Sequence, residues 1–125
     1  MLLKNDFFYI KNIYLNSGNQ ADFEVSFNLE HRIFAAHFPD YPIVPGVCEI
    51  EIAVDCISEI LQQDFELKNV KNVKFSNPIA VNNYHSVIYK LSWNEMENNL
   101  LQVTGSIFNN ETVFAKISMV LICLK

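Results

Sequence analysis

The residues of this chain best suited to chemistry fall between His31 and Glu51, in a stretch reading HRIFAAHFPDYPIVPGVCEIE. Three of the four prolines (Pro39, Pro42, Pro45) and one of the three glycines (Gly46) crowd into eight consecutive positions there. Each proline fixes its own φ and drives the residue before it (Phe38, Tyr41, Val44) toward an extended conformation, so His37 leads into a stiff, non-helical connector. The connector delivers the chain to Gly46, where a Pro-Gly pair suits a helix start and a close backbone approach. The first N–H groups of such a helix have no internal partners and favour partial negative charge on a bound oxygen. A histidine, an exposed helix N-terminus and a carboxylate one turn inside it, Glu51, can form an acid/base pair with an oxyanion site. The same residues also have a plainer reading. A loop histidine is commonly packed or hydrogen-bonded, and Glu51, Asp55, Ser58, Glu59 and Gln62 have the i+3 and i+4 spacings of a solvated helix face. Residue types and spacing leave both readings open.

Positioning these groups falls to elements that the hydrophobic pattern outlines. Ala21, Phe23, Val25, Phe27 and Leu29 alternate with polar residues, as a strand with one buried face should. Val87, Tyr89, Leu91 and Trp93 share the face of another strand, and Val113 to Cys123 alternate over a long final one. Asn109-Asn110 reads as the hairpin turn before it, because asparagine tolerates left-handed backbone. Weaker strands are expected near 6–15 and 68–76. From Gly46 to about Gln63 the pattern changes to GVCEIEIAVDCISEILQQ, with no alternation and no internal breaker, which predicts a helix. Val47, Ile50, Val54, Ile57 and Leu61 form its apolar stripe, widened by Ile52, Ala53, Cys56 and Ile60, so the sheet should wrap around it. The predicted fold is α+β: an antiparallel sheet of about six strands around one long central helix.

Composition narrows the function classes. A chain of 125 residues, half of them apolar, fits one domain, 1–125, with a proper core. Nine basic against 14 acidic residues give a net charge of −5, which argues against nucleic acid as a partner. Three cysteines, Cys48, Cys56 and Cys123, lie in apolar runs without CxxC spacing and read as small buried hydrophobes in a reducing compartment. His31 and His85 have no partners at metal-ligand spacing. The N-terminal residues carry Lys4, Asp6 and Lys11, unlike a signal peptide, and no apolar run approaches a membrane span. The expectation is a cytoplasmic protein with no membrane contact.

The stretch HFPxxPIxPGV from His37 to Val47, with a glutamate fourteen residues after the histidine, resembles the signature of the 3-hydroxyacyl-(acyl-carrier-protein) dehydratases of the hot-dog fold. Val73-Lys74-Phe75 and Pro78-Ile79 resemble the strand that follows the helix in that family. The resemblance implies that His37 removes the α-proton of a 3-hydroxyacyl thioester and that Glu51 assists departure of the hydroxyl. It also implies that the Gly46 and Val47 N–H groups polarise the thioester carbonyl. No metal or redox cofactor is implied. The implied partners are acyl carrier protein and a second copy of the chain, in a homodimer or a larger assembly of dimers whose sites combine His37 of one subunit with Glu51 of the other. Ala36, Glu49, Asp55 and the Val81-Asn82-Asn83 turn depart from the family pattern, which marks a divergent member. Two other functions stay open: a catalytically weak subunit that binds carrier protein or pairs with an active dehydratase, and a hot-dog thioesterase. Lys68, Lys71 and Lys74 read as a solvated strand face or, on an acidic protein, as a patch for the carrier protein. Tyr84 is a candidate gate to an acyl tunnel.

Overall fold

The structure is a computed structural model that describes residues 3–36 and 40–124. Strands β1 (Phe8–Ser17) and β2 (Gln20–Phe27) form a hairpin; two helices follow, α1 (Arg32–Ala36) and α2 (Gly46–Leu61). Strands β3 (Asp64–Phe75), β4 (Ser86–Glu95), β5 (Leu100–Asn109) and β6 (Thr112–Leu124) complete one sheet. Its order is β1-β2-β4-β5-β6-β3, with every pairing antiparallel. Because β2 pairs with β4 while β3 lies beyond β6, the chain between β2 and β3 must cross the whole sheet, and α2 is the element that makes the crossing.

Alternation sets the sheet's inner face. In β2, Ala21, Phe23, Val25 and Phe27 are buried while their neighbours are half-buried, and Val87, Tyr89, Leu91 and Trp93 of β4 continue that layer. From α2 come Ile52, Ala53, Cys56 and Ile57, all fully buried in the same core cluster. Each large side chain taken out of water here contributes about 1.5–3 kcal/mol. The Asn109-Asn110 hairpin forms with Asn110 at φ 52°, as the left-handed tolerance of asparagine allows.

Several expectations need adjustment. Helix α2 has 16 residues and stops at Leu61, because Gln62 turns left-handed at φ 55° and the Gln63 N–H closes back on the Ser58 carbonyl. It is buried on one side only. Val47, expected in the apolar stripe, is 65% exposed, and Glu51 and Asp55 beneath it are half-buried, while Glu49 is buried at 3%. Strand β3 begins at Asp64 rather than near 68, since its pairing with β6 starts at Asp64 opposite Leu124. Leu29 lies beyond β2 and is exposed. Cys48 and Cys56 are buried free thiols, whereas Cys123 is half-buried and its thiol donates to Gln63 Oε1 at 3.1 Å. The short helix α1 has no counterpart in the hydrophobic pattern. It is seated by Phe34, stacked on Phe7, and by the Ile33 N–H donating to His31 Nδ1 at 3.1 Å. Among the described residues no helix is long and apolar enough to cross a membrane.

Candidate active site

The start of α2 is held by a device that proline spacing alone does not reveal. Pro42 to Val44 lie alongside Ile79 to Val81, the segment leading to β4. The Val44 N–H donates to the Ile79 carbonyl at 3.0 Å, the Val81 N–H donates to the Pro42 carbonyl at 3.1 Å, and Ile43 bridges Ala80. Val44, Ile79, Ala80 and Val81 are buried, so the connector is both hydrogen-bonded and packed. Pro45 then stands extended at φ −62°, ψ 145° as the N-cap, without a side-chain hydrogen bond. Its carbonyl accepts the N–H groups of Cys48 at 3.0 Å and Glu49 at 3.1 Å, which leaves Gly46 and Val47 as the donors of the first turn without an acceptor among the described residues. From below, the buried Tyr89 hydroxyl of β4 donates to the Glu49 carbonyl oxygen at 2.9 Å. Burial, then the Glu49 charge, pushes the Tyr89 hydroxyl well up, so it stays a donor.

Gly46 is needed for a reason of its own. A Cβ there would lie 2.8 Å from Cζ of Phe75, whose ring fills the space beside the helix start. That ring is half-exposed and can turn aside. Between this turn and the end of β3 runs a cleft of about 440 Å³, walled by Ile43, Val44, Gly46 and Glu49 on one side and by Phe75 to Pro78 on the other.

Of the four expected site residues, Gly46 and Val47 form the first turn and Glu51 follows one turn later on the half-open side of α2. His37, with Phe38 and Pro39, lies outside the described residues. Asp55, one further turn along, has its carboxyl raised to about 6, by burial first and then by the neighbouring Glu51 charge, against a lowering pull from Lys4. The strongest effect of burial falls on Glu49. It is the only charged residue buried among those described, its Oε1 has no hydrogen-bond partner, and burial pushes its carboxyl up to about 8. From the sequence, Glu49 stands out as a departure from the family pattern and as the carboxylate that cannot share a helix face with Glu51, the one matched to His37. The available signal was a carboxylate inside the apolar arc of α2, about 200° from Glu51.

The remaining candidates take structural places. His31 Nε2 lies 3.2 Å from Asp6 Oδ2 and its ring meets Phe7 edge-on, while His85 is exposed. Tyr84 packs edge-on against Phe114 at 4.9 Å. No group of residues suited to holding a metal ion occurs among those described.

A six-stranded antiparallel sheet with a crossing helix, its first turn offering free N–H groups beside carboxyls, defines a hot-dog protein. A chain of the ApeI:P dehydratase heterocomplex from Xenorhabdus doucetiae superposes with a TM-score of 0.65 at 18% identity, covering 90% of this chain and 96% of that one. A structure from Bartonella henselae described as a probable thioesterase gives 0.65 at 12% identity, covering 86% and 92%. At such identities the likeness speaks for the fold alone. Sequence carries the assignment further: residues 14–116 match the model of the ApeI-like family, described as ApeI dehydratase, and the chain belongs to that family. It is also 28% identical over 95 residues to the 3-hydroxyacyl-(acyl-carrier-protein) dehydratase FabZ of Fusobacterium nucleatum, a match spanning 72% of this chain and 66% of that protein. The chain is a divergent FabZ/ApeI-like dehydratase family member.

Proposed function

We propose that the chain works as one domain that dehydrates a 3-hydroxyacyl thioester carried on acyl carrier protein to the trans-2-enoyl thioester and water, in acyl-chain biosynthesis in the cytoplasm. The observation that carries this reading is the first turn of α2: two orphan N–H groups followed, one turn on, by the half-exposed Glu51. His37 takes the C2 proton, and the electron pair left behind becomes enolate, whose oxygen the Gly46 and Val47 N–H groups hold. As the C2–C3 double bond forms, the C3–O bond breaks and the hydroxyl leaves as water with a proton from Glu51. The proton on His37 then returns to Glu51.

Completion by a second copy is supported by what one chain leaves open. Val47 is 65% exposed beside Glu51, and β3 is an edge strand carrying the exposed Leu67 and Phe75. A partner seated along β3 and α2 would cover these side chains and bring its own His37 to Glu51. Lys68, Lys71 and Lys74, all exposed on β3, offer an acidic carrier protein a basic patch on an otherwise acidic surface. A second reading, a subunit that needs a different active partner, is favoured by one observation, the likeness to a chain of a dehydratase heterocomplex.

The test is incubation with a 3-hydroxyacyl carrier-protein thioester, following enoyl absorbance and loss of water by mass. Wild type turns over, and His37→Ala and Glu51→Gln each abolish turnover. Activity that appears only with a second dehydratase subunit supports the second reading. No turnover under either condition removes the dehydratase assignment, and release of free thiol favours a thioesterase.

A further inference from the structure

We propose that Glu49 is a specificity residue whose carboxyl hydrogen-bonds a neutral oxygen function of the thioester ligand, in the cleft between the first turn of α2 and the end of β3. This rests on the acyl-thioester reading of the site. The oxygen has two sources on such a ligand, a hydroxyl on the acyl chain or an amide carbonyl on the carrier arm.

Three observations converge on Glu49. It is 3% exposed, and its Oε1 finds no partner among the described residues although a carboxyl can engage several. An unpaired buried oxygen destabilises the fold, and an apolar side chain at this position would avoid that cost. The same residue walls the cleft of about 440 Å³ together with Gly46, Ser76 and Asn77. Finally, the local backbone is anchored independently of the carboxyl, because Tyr89 donates its hydroxyl to the Glu49 carbonyl. Among the described residues the carboxyl thus keeps an unpartnered oxygen on a turn whose backbone is fixed.

The chemistry of the walls selects the ligand group. Among the described residues no cationic side chain lines the cleft, which argues against a phosphate or another anion as its ligand. An amine would leave two charges to be desolvated together. With its carboxyl raised to about 8, Glu49 keeps its proton near neutrality and can both donate to and accept from an uncharged oxygen. Burial alone accounts for that shift, and the ionisable groups that in turn feel the Glu49 charge are Cys48 on α2 and Tyr89 from β4.

The test uses acyl-pantetheine analogues with the thioester sulfur replaced by NH, which bind without reacting. The chain is made with and without a 3-hydroxyl, and the arm with and without its amides. Dissociation constants are measured for wild type, Glu49→Gln, Glu49→Leu and Glu51→Gln. Removing the oxygen that Glu49 meets weakens wild type, Glu49→Gln and Glu51→Gln by about fivefold or more beyond its effect on Glu49→Leu, the scale of one hydrogen bond and separate from any contact that oxygen makes with Glu51. Whichever analogue shows this identifies the oxygen as hydroxyl or amide. In infrared difference spectra, a protonated-carboxyl band absent from Glu49→Gln shifts when that analogue binds to wild type. If Glu49→Leu discriminates as wild type does, or no variant discriminates while all bind, the assignment of Glu49 is overturned and the thioester reading survives. If folded protein binds none of the analogues, both are overturned.

Discussion

Replacing Glu49 with glutamine should flatten the dependence of this protein's stability on pH. The carboxyl titrates near 8 in the folded chain and at 4.5 as an ordinary glutamic acid, with burial as the cause. The folded state therefore holds the proton more tightly than the unfolded chain does. Its contribution to stability is full below pH 4.5, is lost as pH rises toward 8, and is constant above. The gap corresponds to roughly 5 kcal/mol over the whole interval, at about 1.36 kcal/mol per pH unit. Asp55 acts with the same sign, raised to about 6, but it is half-buried and its loss is nearly complete by pH 6.5. The interval from pH 6.5 to 8 therefore isolates Glu49, with an expected loss of roughly 1.5 kcal/mol. Urea unfolding followed by fluorescence of the buried Trp93, at half-unit steps of pH, measures it. In Glu49→Gln the slope across that interval should vanish, while the slope below pH 6 from Asp55 remains. A wild-type curve that is flat from 6.5 to 8, or the same slope in the variant, would refute the placement of an un-ionised carboxyl in this cleft.

Three further outcomes follow from the packing. Tyr89→Phe removes the buried hydrogen bond to the Glu49 carbonyl and should cost about 1–2 kcal/mol in urea unfolding, since it leaves that carbonyl without its side-chain donor. Gly105→Ala should be the more damaging glycine substitution, because its Cβ would run into the Lys90 carbonyl and lie 2.6 Å from Leu91 Cδ2, where neither β4 nor β5 can yield; a loss of about 2 kcal/mol or more, or failure to fold, is expected, against a smaller loss for Gly46→Ala that Phe75→Ala relieves. Leu67→Glu, on the open edge of β3, should leave the monomer folded by circular dichroism but shift sedimentation from dimer to monomer if a second copy covers that edge.

Much of the fold was legible because its signals are local. Alternation at Ala21 to Phe27 and at Val87 to Trp93 marks strands wherever one face is buried, and the loss of alternation after Gly46 marks the helix. What escaped sequence reading depends on contacts between distant segments. Strand β3 reads weakly because it is an edge, with Lys68, Lys71 and Lys74 outward and little apolar alternation for its length. The pairing of Pro42–Val44 with Ile79–Val81 joins segments almost forty residues apart, and no spacing rule announces it. The proline cluster identified a rigid connector; the structure adds that rigidity also comes from being stitched to the approach of β4.

Helix periodicity showed that Glu49 and Glu51 cannot face the same way, but which of them the sheet would cover was not in the sequence. The order of the sheet decides it: with α2 crossing from β2 toward β3, the face bearing Ile52, Ala53 and Cys56 meets the strands, and Glu49 falls on that side above Tyr89. Glu51 is turned outward with Val47 and Asp55. The two carboxyls therefore meet different surroundings although little more than half a helical turn separates them. Burial holds the proton on Glu49 within its own chain, whereas Glu51 stands on a stripe that one chain alone does not cover. A side chain in the second position can be given its chemical environment by a partner; one in the first already has it from its own fold before any ligand enters the cleft.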